Sequence, residues 1–397
     1  MSSTRIDTGS RDRLVALFRR ALAAVRGDSL SEEALRGHDF SHVIALGKAA
    51  EALAAGAWRA ARGKLQSGFL AMPGGYATGD LPPAAPFERH QGAHPLPDKT
   101  SLAAGAALLN YVAALPTDAQ VVVLVSGGAS AAVEVLAPGV DLAFSRRANR
   151  WLIASGLAIA DINRVRAGLS QLKGGGLARS LMRIRATAWV LADVSGGGLE
   201  WVGGGLLSPT PAGKLPPLPT WLEERLATTP HQDSLRMPLQ RLAGNEEAVA
   251  AVVAEGAQEA GSLNGDAVER GIEIGAALAA GAPGLYVWGG EPTVRLPENP
   301  GQGGRCQQLA LAAATVIAGR DDCYLLAGGT DGWDGSAAIA GACVDGDTLE
   351  RGRAQGLDPR RALAAADAGR FLDASGDLLR TGPTGTNVND LVIALKR

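Results

Sequence analysis

The residue types that could carry out chemistry in this chain are concentrated in glycine-rich clusters near its C-terminus. One apolar run leads into residues 289–291, and a second cluster follows at 303–308. Another apolar run leads into 328–335, and a last cluster spans 381–391. Glycines let a backbone approach a ligand closely and present its N–H groups. The Asp, Thr, Asn and Arg side chains between them are those that an oxyanion and its metal ion would need. Packing does not explain so many of them after strands, so we interpret them as parts of one site.

Two further candidate groups follow strands in the N-terminal half. Lys48 comes after an apolar strand and Gly47 and is expected to open a helix. A lysine is unfavourable there, because a helix N-terminus is already positive, and a bound anion would resolve the conflict. The alternative is an exposed lysine. Residues 126–130 (Ser-Gly-Gly-Ala-Ser) could hold a phosphate or carboxylate, although many strand-to-helix turns look similar. The chain has no GxxxxGK[ST] sequence, so this is not a Walker A loop.

Several cations lie beside a glycine run in the middle of the chain. Arg164 and Arg166 are followed by Ser170 and by Lys173, which directly precedes three glycines. Arginine can bind a carboxylate or phosphate through two parallel hydrogen bonds, which lysine cannot. The glycine run favours an anion site, and the alternative is a solvated basic helix face.

Three aspartates stand where a carboxylate could do chemistry. Asp193 ends a strand that looks buried, where it could be catalytic, bind a metal or cap the next turn. Asp331 and Asp334 are three residues apart in a glycine loop and could bind Mg²⁺ through their oxygens. The structural alternative for this pair is turn formation, which also places Asp beside Gly.

The elements that must position these residues alternate in type. One unit recurs along the chain: a short β-branched run, then a Gly or Asp loop, then an alanine-rich helical stretch. It occurs at 43–61, with the helix expected over 49–61, and at 121–136, with the helix expected over 131–136. This alternation predicts a parallel sheet with helices on both faces and ligands beyond the carboxyl ends of its strands. Residues 208–219 are proline-rich and predict a loop. A helical pattern covers 245–280, and a second α/β unit begins near Leu285.

Composition limits the classes of function. The chain has 397 residues, which predicts two domains, and a formal net charge of −2 that gives no support to binding of nucleic acid or a membrane surface. No apolar run reaches the roughly 18–20 residues of a membrane span. Three cysteines without a CxxC pair predict a reducing, cytoplasmic location. The N-terminal arginines could suggest a transit peptide, but an apolar stripe favours an amphipathic first helix, with Leu14, Leu17, Phe18, Leu22 and Val25 on its buried face.

The ordered set of clusters resembles the glycerate 2-kinase family, whose C-terminal half carries the MOFRL domain. The resemblance extends from about Leu14 to Leu395. Its most specific matches are Leu46-Gly47-Lys48-Ala49-Ala50, His94-Pro95-Leu96-Pro97-Asp98, and the stretches 126–130, 166–175, 328–335 and 381–391. It implies an α/β fold with a Rossmann-like, doubly wound parallel sheet and a C-terminal α/β MOFRL domain, with the active site in the cleft between them. The implied ranges are 1–243 for the kinase domain, 244–283 for a helical connection and 284–397 for the MOFRL domain.

Members of this family transfer the γ-phosphoryl group of ATP to the 2-hydroxyl of D-glycerate with Mg²⁺. The resemblance therefore implies a monomeric or homodimeric kinase whose partners are a small hydroxy acid and a nucleotide. Lys48 and Arg305 would stabilise charge on the phosphoryl group and the acid carboxylate, and Asp193 would take the hydroxyl proton. The acid would be bound by Ser126, Gly127, Gly128, Ser130, Arg166 and Lys173. The nucleotide would be bound by Gly290, Glu291, Thr330, Asp331, Thr384, Thr386 and Asn387. The metal would be bound by Asp331 and Asp334.

The chain departs from the family pattern at several positions. Gly196-Gly197 stands where a glycine-aspartate pair is usual, residues 204–209 replace a Ser-Gly-Pro-Thr segment, and Ser336-Ala337 replaces Pro-Thr. Cys306 and Gln308 stand where asparagine and glutamate are typical. These changes keep two alternatives open: a catalytically weakened paralogue that binds acid or nucleotide, and a hydroxypyruvate reductase. The second is disfavoured because no GxGxxG follows the first strand.

Overall fold

A computed structural model of the chain describes residues 8–193, 198–210, 213–229, 235–335 and 338–397. These residues form two compact units. The first unit comprises Arg26–Ala243 and Gly385–Asn387, and the second comprises 8–25, Gly244–Thr384 and Val388–Arg397. The boundary between the units falls between Ala243 and Gly244. Residues 8–25, expected in the kinase domain, belong to the second unit, and Gly385–Asn387, expected in the MOFRL domain, belong to the first.

The first unit contains a six-stranded parallel sheet with the order β3-β2-β1-β4-β5-β6. The strands are β1 (His42–Leu46), β2 (Ser67–Pro73), β3 (Phe87–Gly92), β4 (Gln120–Val125), β5 (Arg185–Leu191) and β6 (Leu239–Ala243). The helices are α2 (Gly27–Leu35), α3 (Ala50–Ala60), α4 (Lys99–Ala114), α5 (Ala129–Ala132), α6 (Leu142–Ala154), α7 (Ile159–Gly168), α8 (Gly176–Ser180) and α9 (Thr220–Thr228), with a 3₁₀ turn at Leu199–Gly204. The central strands β1 and β4 are apolar on both faces because helices cover both sides of a parallel sheet.

The second unit contains a mixed sheet with the order β11-β10-β9-β12-β8-β7. The strands are β7 (Gln258–Ser262), β8 (Gly284–Gly290), β9 (Cys323–Gly329), β10 (Gly341–Asp345), β11 (Leu378–Leu379) and β12 (Asp390–Lys396). The helices are α1 (Thr8–Ala24), α10 (Asn245–Val253), α11 (Ala267–Ala280), α12 (Arg305–Ile317), α13 (Thr348–Ala354), α14 (Pro359–Ala364) and α15 (Ala368–Ala374). Strand β12 lies between β8 and β9 and is antiparallel to both. Its first residue, Asp390, therefore lies at the same edge as the ends of β8 and β9.

The predicted α/β class and the parallel first sheet are confirmed, but two helical predictions are wrong in extent. The helix expected over 131–136 is α5, which ends at Ala132, because Val133 is extended and the Glu134 N–H pairs with the Ser101 carbonyl. The helical pattern over 245–280 is interrupted by strand β7, whose pairing with β8 overrides the local preference. The connection predicted over 244–283 therefore contains a strand. No helix in the described part of the chain is long and apolar enough to cross a bilayer.

Helix α1 belongs to the second unit because both its apolar and its charged faces have partners there. The predicted apolar stripe is buried and packs against α10, β9 and β12. On the charged face, Arg11 Nη1 lies 2.8 Å from Asp345 Oδ2 and 2.6 Å from Asp377 Oδ1, and Nη2 donates to the Cys343 carbonyl at 2.6 Å. The Asp377 side chain is completely buried, and Arg351 pairs with the same two aspartates.

Removal of the Arg11 guanidinium should destabilise the second unit. We expect Arg11→Met to lower the free energy of unfolding by about 3 kcal/mol, because it leaves two buried carboxylates with one cation between them. Urea denaturation followed by circular dichroism measures the change. Arg19→Met on the exposed face of the same helix is the matched control and should change stability by less than about 0.5 kcal/mol. Equal losses in the two variants would contradict this account of how α1 is held.

Candidate active site

In the first unit, an aspartate and an asparagine converge on the backbone of Gly127. This glycine lies in the loop after β4, and Asp193 follows the neighbouring strand β5. A Cβ atom built on Gly127 would lie 1.9 Å from Asp193 Oδ2 and 2.2 Å from Asn387 Nδ2. Both polar groups thus lie in the space that a side chain would fill. Asn387, predicted to bind nucleotide, belongs to the same unit as Asp193, whereas Thr330 and Asp331 belong to the second unit.

Lys48 lies beside the next glycine of this loop. Its N–H donates to the Gly127 carbonyl at 2.9 Å, and helix α3 begins two residues later, as the sequence predicts. Gly128 has a left-handed backbone with φ of 83°, and a Cβ atom there would lie 2.9 Å from Lys48 Cγ and 3.5 Å from His94 Cδ2. Lys48 Nζ lies 5.5 Å from the centre of the Tyr76 ring, within range of a cation–π interaction. The side chains of Lys48 and Asp193 therefore lie beside consecutive glycines of the same loop.

Ser126 has a structural role in this loop. The residue is fully buried, and its hydroxyl accepts the Ala49 N–H at 3.0 Å and donates to the Leu46 carbonyl at 3.3 Å. The hydroxyl thus satisfies a donor at the start of α3 that no helical partner can reach. These contacts argue against the predicted acid-binding role for its side chain.

Lys173 is buried in an ion pair that the sequence did not reveal. Its ammonium contacts Glu134 Oε2, while Ser170 Oγ donates to Glu134 Oε1 at 2.6 Å. The Lys173 and Glu134 side chains are 3% and 4% exposed. Burial lowers the pKa of Lys173, and the Glu134 carboxylate opposes that shift. Ser130 is adjacent, because a Cβ atom on Gly204 would lie 2.5 Å from Ser130 Oγ and 3.6 Å from Lys173 Cε.

Arg166 adds a second cation to this group. Burial lowers the pKa of Arg166, and Glu134 again opposes the shift. Within the described residues, its hydrogen bond runs from Nε to the neutral Asn149 Oδ1 at 2.8 Å. Among the described residues, two cations thus share one carboxylate. An anion such as a carboxylate would balance the second cation.

In the second unit, Arg305 begins α12 and binds two carboxylates. Asp390 accepts from Nε at 2.5 Å and from Nη2 at 3.2 Å, and Glu291 accepts from Nη1. Burial alone would lower the pKa of Arg305, but Asp390 and Glu291 raise it above its usual value. Burial raises the pKa of Asp390 to about 7 against the opposing effect of Arg305. Asp390 is therefore the principal anchor of the guanidinium, a role that the sequence did not indicate.

Asp334 caps helix α12. Its Oδ1 accepts the Cys306 N–H at 3.0 Å, and its Oδ2 accepts the Gln307 N–H at 2.8 Å and Gln307 Nε2 at 2.9 Å. A carboxylate is favoured at a helix N-terminus, although burial raises the pKa of this one. Both oxygens are engaged, so Asp334 does not fit the predicted role of metal ligand.

Asp331 fits a metal only as a single ligand. Its Oδ1 accepts the Trp333 N–H at 2.9 Å, the turn geometry that the sequence left open as an alternative. A Cβ atom on Gly329 would lie 3.4 Å from both Asp331 Oδ1 and Asp390 Oδ1. The described residues contain no group of three or more His, Cys, Asp or Glu side chains arranged to hold a metal ion. Mg²⁺ commonly takes one or two carboxylates and completes its shell with substrate phosphates and water.

The predicted nucleotide-binding threonines hold two loops together. Thr330 is fully buried, and its hydroxyl donates to the Asn389 carbonyl at 2.7 Å and accepts the Val388 N–H at 2.8 Å. Thr384 Oγ1 donates to the Thr330 carbonyl at 2.5 Å, and Thr386 is also buried. These contacts place Thr384, Val388 and Asn389 beside Thr330, which directly follows β9. Gly290 ends β8 directly before Glu291.

Three of the sequence departures can be placed, and two cannot. Residues 204–209 begin at the end of the 3₁₀ turn, where a Cβ atom on Gly204 would lie 2.5 Å from Ser130 Oγ. Cys306 and Gln308 are both buried in α12, and Gln308 Nε2 donates to the Leu363 carbonyl at 3.2 Å. Gly196-Gly197 and Ser336-Ala337 lie outside the described residues.

Two interactions of functional interest had weak signals in the sequence. Glu134 is the single charged residue in the apolar run 131–136, and Asp390 immediately precedes the apolar run 391–395. A charge at either place indicates a buried partner, because an unpaired buried carboxylate is costly. The partner's identity depends on residues distant in the sequence.

These observations define a two-unit α/β protein with candidate anion-binding groups at strand ends in both units. The domain of unknown function DUF4147 matches residues 13–215, and the MOFRL family matches residues 284–390. A curated relative from Thermotoga maritima, named D-glycerate 2-kinase, is 33% identical over 96% of this chain and 97% of its own length. The chain belongs to the glycerate 2-kinase family.

Two further similarities bear on fold and function. The crystal structure of glycerate kinase from Thermotoga maritima has a TM-score of 0.80 and 30% identity, covering 98% of this chain and 99% of that one. A relative from Agrobacterium vitis, named putative hydroxypyruvate reductase, is 34% identical over 88% of this chain and 85% of its own length. The same family thus carries two functional names.

A methyl group at position 127 should disable the site without unfolding the protein. Gly127→Ala would push away the Asp193 carboxyl and the Asn387 amide, both of which are side-chain ends that can move. We expect ADP release with MgATP and D-glycerate, the acid named for the Thermotoga maritima relative, to fall about 100-fold, as for a misplaced catalytic group. Gly284→Ala is the matched control, because its Cβ would meet Tyr286 only at ordinary contact distance. Full activity in Gly127→Ala would refute the assignment of Asp193.

Proposed function

We propose that this chain is an ATP-dependent glycerate 2-kinase, which transfers the γ-phosphoryl group of MgATP to the 2-hydroxyl of D-glycerate. The observation that carries the proposal is the convergence of Asp193, Asn387 and Lys48 on two consecutive glycines of one loop. Phosphoryl transfer needs a group to accept the hydroxyl proton and fixed positive charge for the phosphoryl oxygens. This loop brings both groups together, and the relatives' names agree with that chemistry.

Each residue of the loop has a distinct role in this proposal. Asp193 accepts the proton of the 2-hydroxyl, and Asn387 orients the carboxylate through its amide. Lys48 stabilises the negative charge that develops on the transferring group.

The acid carboxylate is assigned to the positively charged region next to this loop. Among the residues that the structure describes, Arg166 and Lys173 share Glu134 as their anion, so a bound carboxylate would balance the second cation. Ser130 touches this region, and residues 127–130 are continuous in sequence with the glycine loop. The hydroxyl and the carboxylate of one small acid therefore have neighbouring partners.

Arg305 and the glycine-rich strand ends of the second unit are assigned to the nucleotide phosphates. Mg²⁺ enters as part of the MgATP substrate, with Asp331 as its candidate protein ligand. A cytoplasmic location, where MgATP is available, and a monomeric or homodimeric state remain predictions from the sequence.

The direct test measures ADP release by the purified protein with MgATP and a panel of small hydroxy acids. We expect turnover on D-glycerate, and addition of enolase should form phosphoenolpyruvate only if the product is 2-phosphoglycerate. Turnover without an enolase signal would place the phosphate on another carbon. Binding of acid and nucleotide without any ADP release would favour the catalytically weakened paralogue instead.

Loss of either proposed charge stabiliser should reduce turnover strongly. Lys48→Ala and Arg305→Ala are each expected to lower kcat by roughly 10²–10³, the effect of removing one preorganised group in related sites. Lys64→Ala removes an exposed lysine of the same unit as Lys48 and should leave kcat unchanged. Near-normal kcat in the Lys48 or Arg305 variant would exclude that residue from the reaction.

The name of the Agrobacterium vitis relative supports a reductase as the second candidate. Gly47-Lys48-Ala49 follows β1 in place of a dinucleotide-binding glycine motif, which argues against it. Incubation with hydroxypyruvate and NADH or NADPH, followed at 340 nm, separates the two activities. Oxidation of either cofactor at rates above those of phosphoryl transfer would replace the kinase proposal.

A further inference from the structure

The two carboxylates that bind Arg305 differ in how firmly they are held. Asp390 is the first residue of β12 and pairs in register with Gly290 on one side and Gly329 on the other. Its backbone carbonyl accepts Asn245 Nδ2 at 3.1 Å, and its side chain is 2% exposed. The Asp390 carboxylate therefore cannot leave the guanidinium without rearrangement of the sheet edge.

Glu291 has the opposite character. It follows the last residue of β8, its side chain is 47% exposed, and it contacts only the Nη1 end of Arg305 among the ion pairs of the described residues. Exposed ion pairs contribute about 0.2–1 kcal/mol, because water solvates the separated charges almost as well. Release of Glu291 from Nη1 is therefore inexpensive, and Nη1 is the position of Arg305 that can exchange its partner.

Charge in this region opposes the exchange. Among the described residues, Glu291, Asp334 and Asp390 all act electrostatically around Arg305. An incoming anion must overcome this negative field as well as displace Glu291. A polyphosphate can compete because it presents several oxygens that accept charge-assisted hydrogen bonds from the guanidinium.

We propose that Glu291 is an internal competitor that occupies the anion position of Arg305 and is displaced by the polyphosphate chain of the nucleotide. Glu291 thereby lowers the affinity of Arg305 for anions, because every anion that binds Nη1 must first displace it. This inference rests on the proposed assignment of Arg305 to nucleotide phosphates, and it gives Glu291 a role opposite to that of an attractive ligand.

The test is a binding measurement that does not require turnover. Isothermal titration calorimetry of the full chain with tripolyphosphate, in EDTA to exclude metal ions, should show tighter binding by Glu291→Gln than by the unaltered protein. The expected gain is about two- to fivefold, the equivalent of the exposed ion pair that no longer competes. Glu298→Gln removes the same charge from an exposed residue of the segment that follows β8 and should leave the affinity unchanged.

The outcomes separate this inference from the kinase proposal. The role proposed for Glu291 would be overturned by unchanged or weaker tripolyphosphate binding in Glu291→Gln, or by an equal gain in Glu298→Gln. Absence of binding by both the unaltered chain and Glu291→Gln would also overturn it. ADP release by the same preparations with MgATP and D-glycerate tests the kinase proposal independently. Active enzyme with the wrong binding pattern would overturn only the role of Glu291, and the expected pattern in inactive enzyme would overturn only the kinase.

Discussion

The candidate site in each unit depends on a backbone position that has no side chain. At Gly127 the missing Cβ leaves room for the Asp193 carboxylate, which would otherwise overlap it at 1.9 Å. At Gly289 the same distance separates the missing Cβ from Asn245 Oδ1. Asn245 then donates from its Nδ2 to the Val388 and Asp390 carbonyls, which fixes the start of β12. The absence of a side chain at Gly127 and at Gly289 thus determines where the Asp193 carboxylate lies in one unit and where Asp390, the anchor of Arg305, lies in the other.

Charge is distributed differently around the candidate groups of the two units, and the difference agrees with the proposed ligands. In the first unit Arg166 and Lys173 outnumber Glu134, so a small monoanion is favoured. In the second unit Arg305 is surrounded by carboxylates, so a companion cation would strengthen the binding of a polyanion there. MgATP brings that cation with it, whereas a free acid does not. The electrostatic asymmetry therefore supports acid binding by the first unit and metal–nucleotide binding by the second.

The sequence predicted what depends on local pattern and failed where distant residues decide. Alternation of apolar runs with alanine-rich stretches predicted the parallel sheet and the place of Lys48 before α3. The hydroxyls of Ser126 and Thr330, predicted to bind ligands, form hydrogen bonds with backbone groups distant in sequence, which the sequence did not reveal. Strand β7 was missed because its pairing with β8, not its own composition, makes it a strand. The partners of Glu134 and Asp390 were likewise not predictable, since each is formed by long-range folding.

The departures within α12 are compatible with catalysis. Gln308 lies one turn after Arg305, buried, with its amide nitrogen bound to the Leu363 carbonyl. The glutamate typical of the family at this position would add another buried charge to a region that already contains Asp334 and Asp390. Glutamine is neutral and adds no charge there. Neither Cys306 nor Gln308 supplies a carboxylate, and the proposed reaction does not require one from them, because its base is assigned to Asp193 beside Gly127.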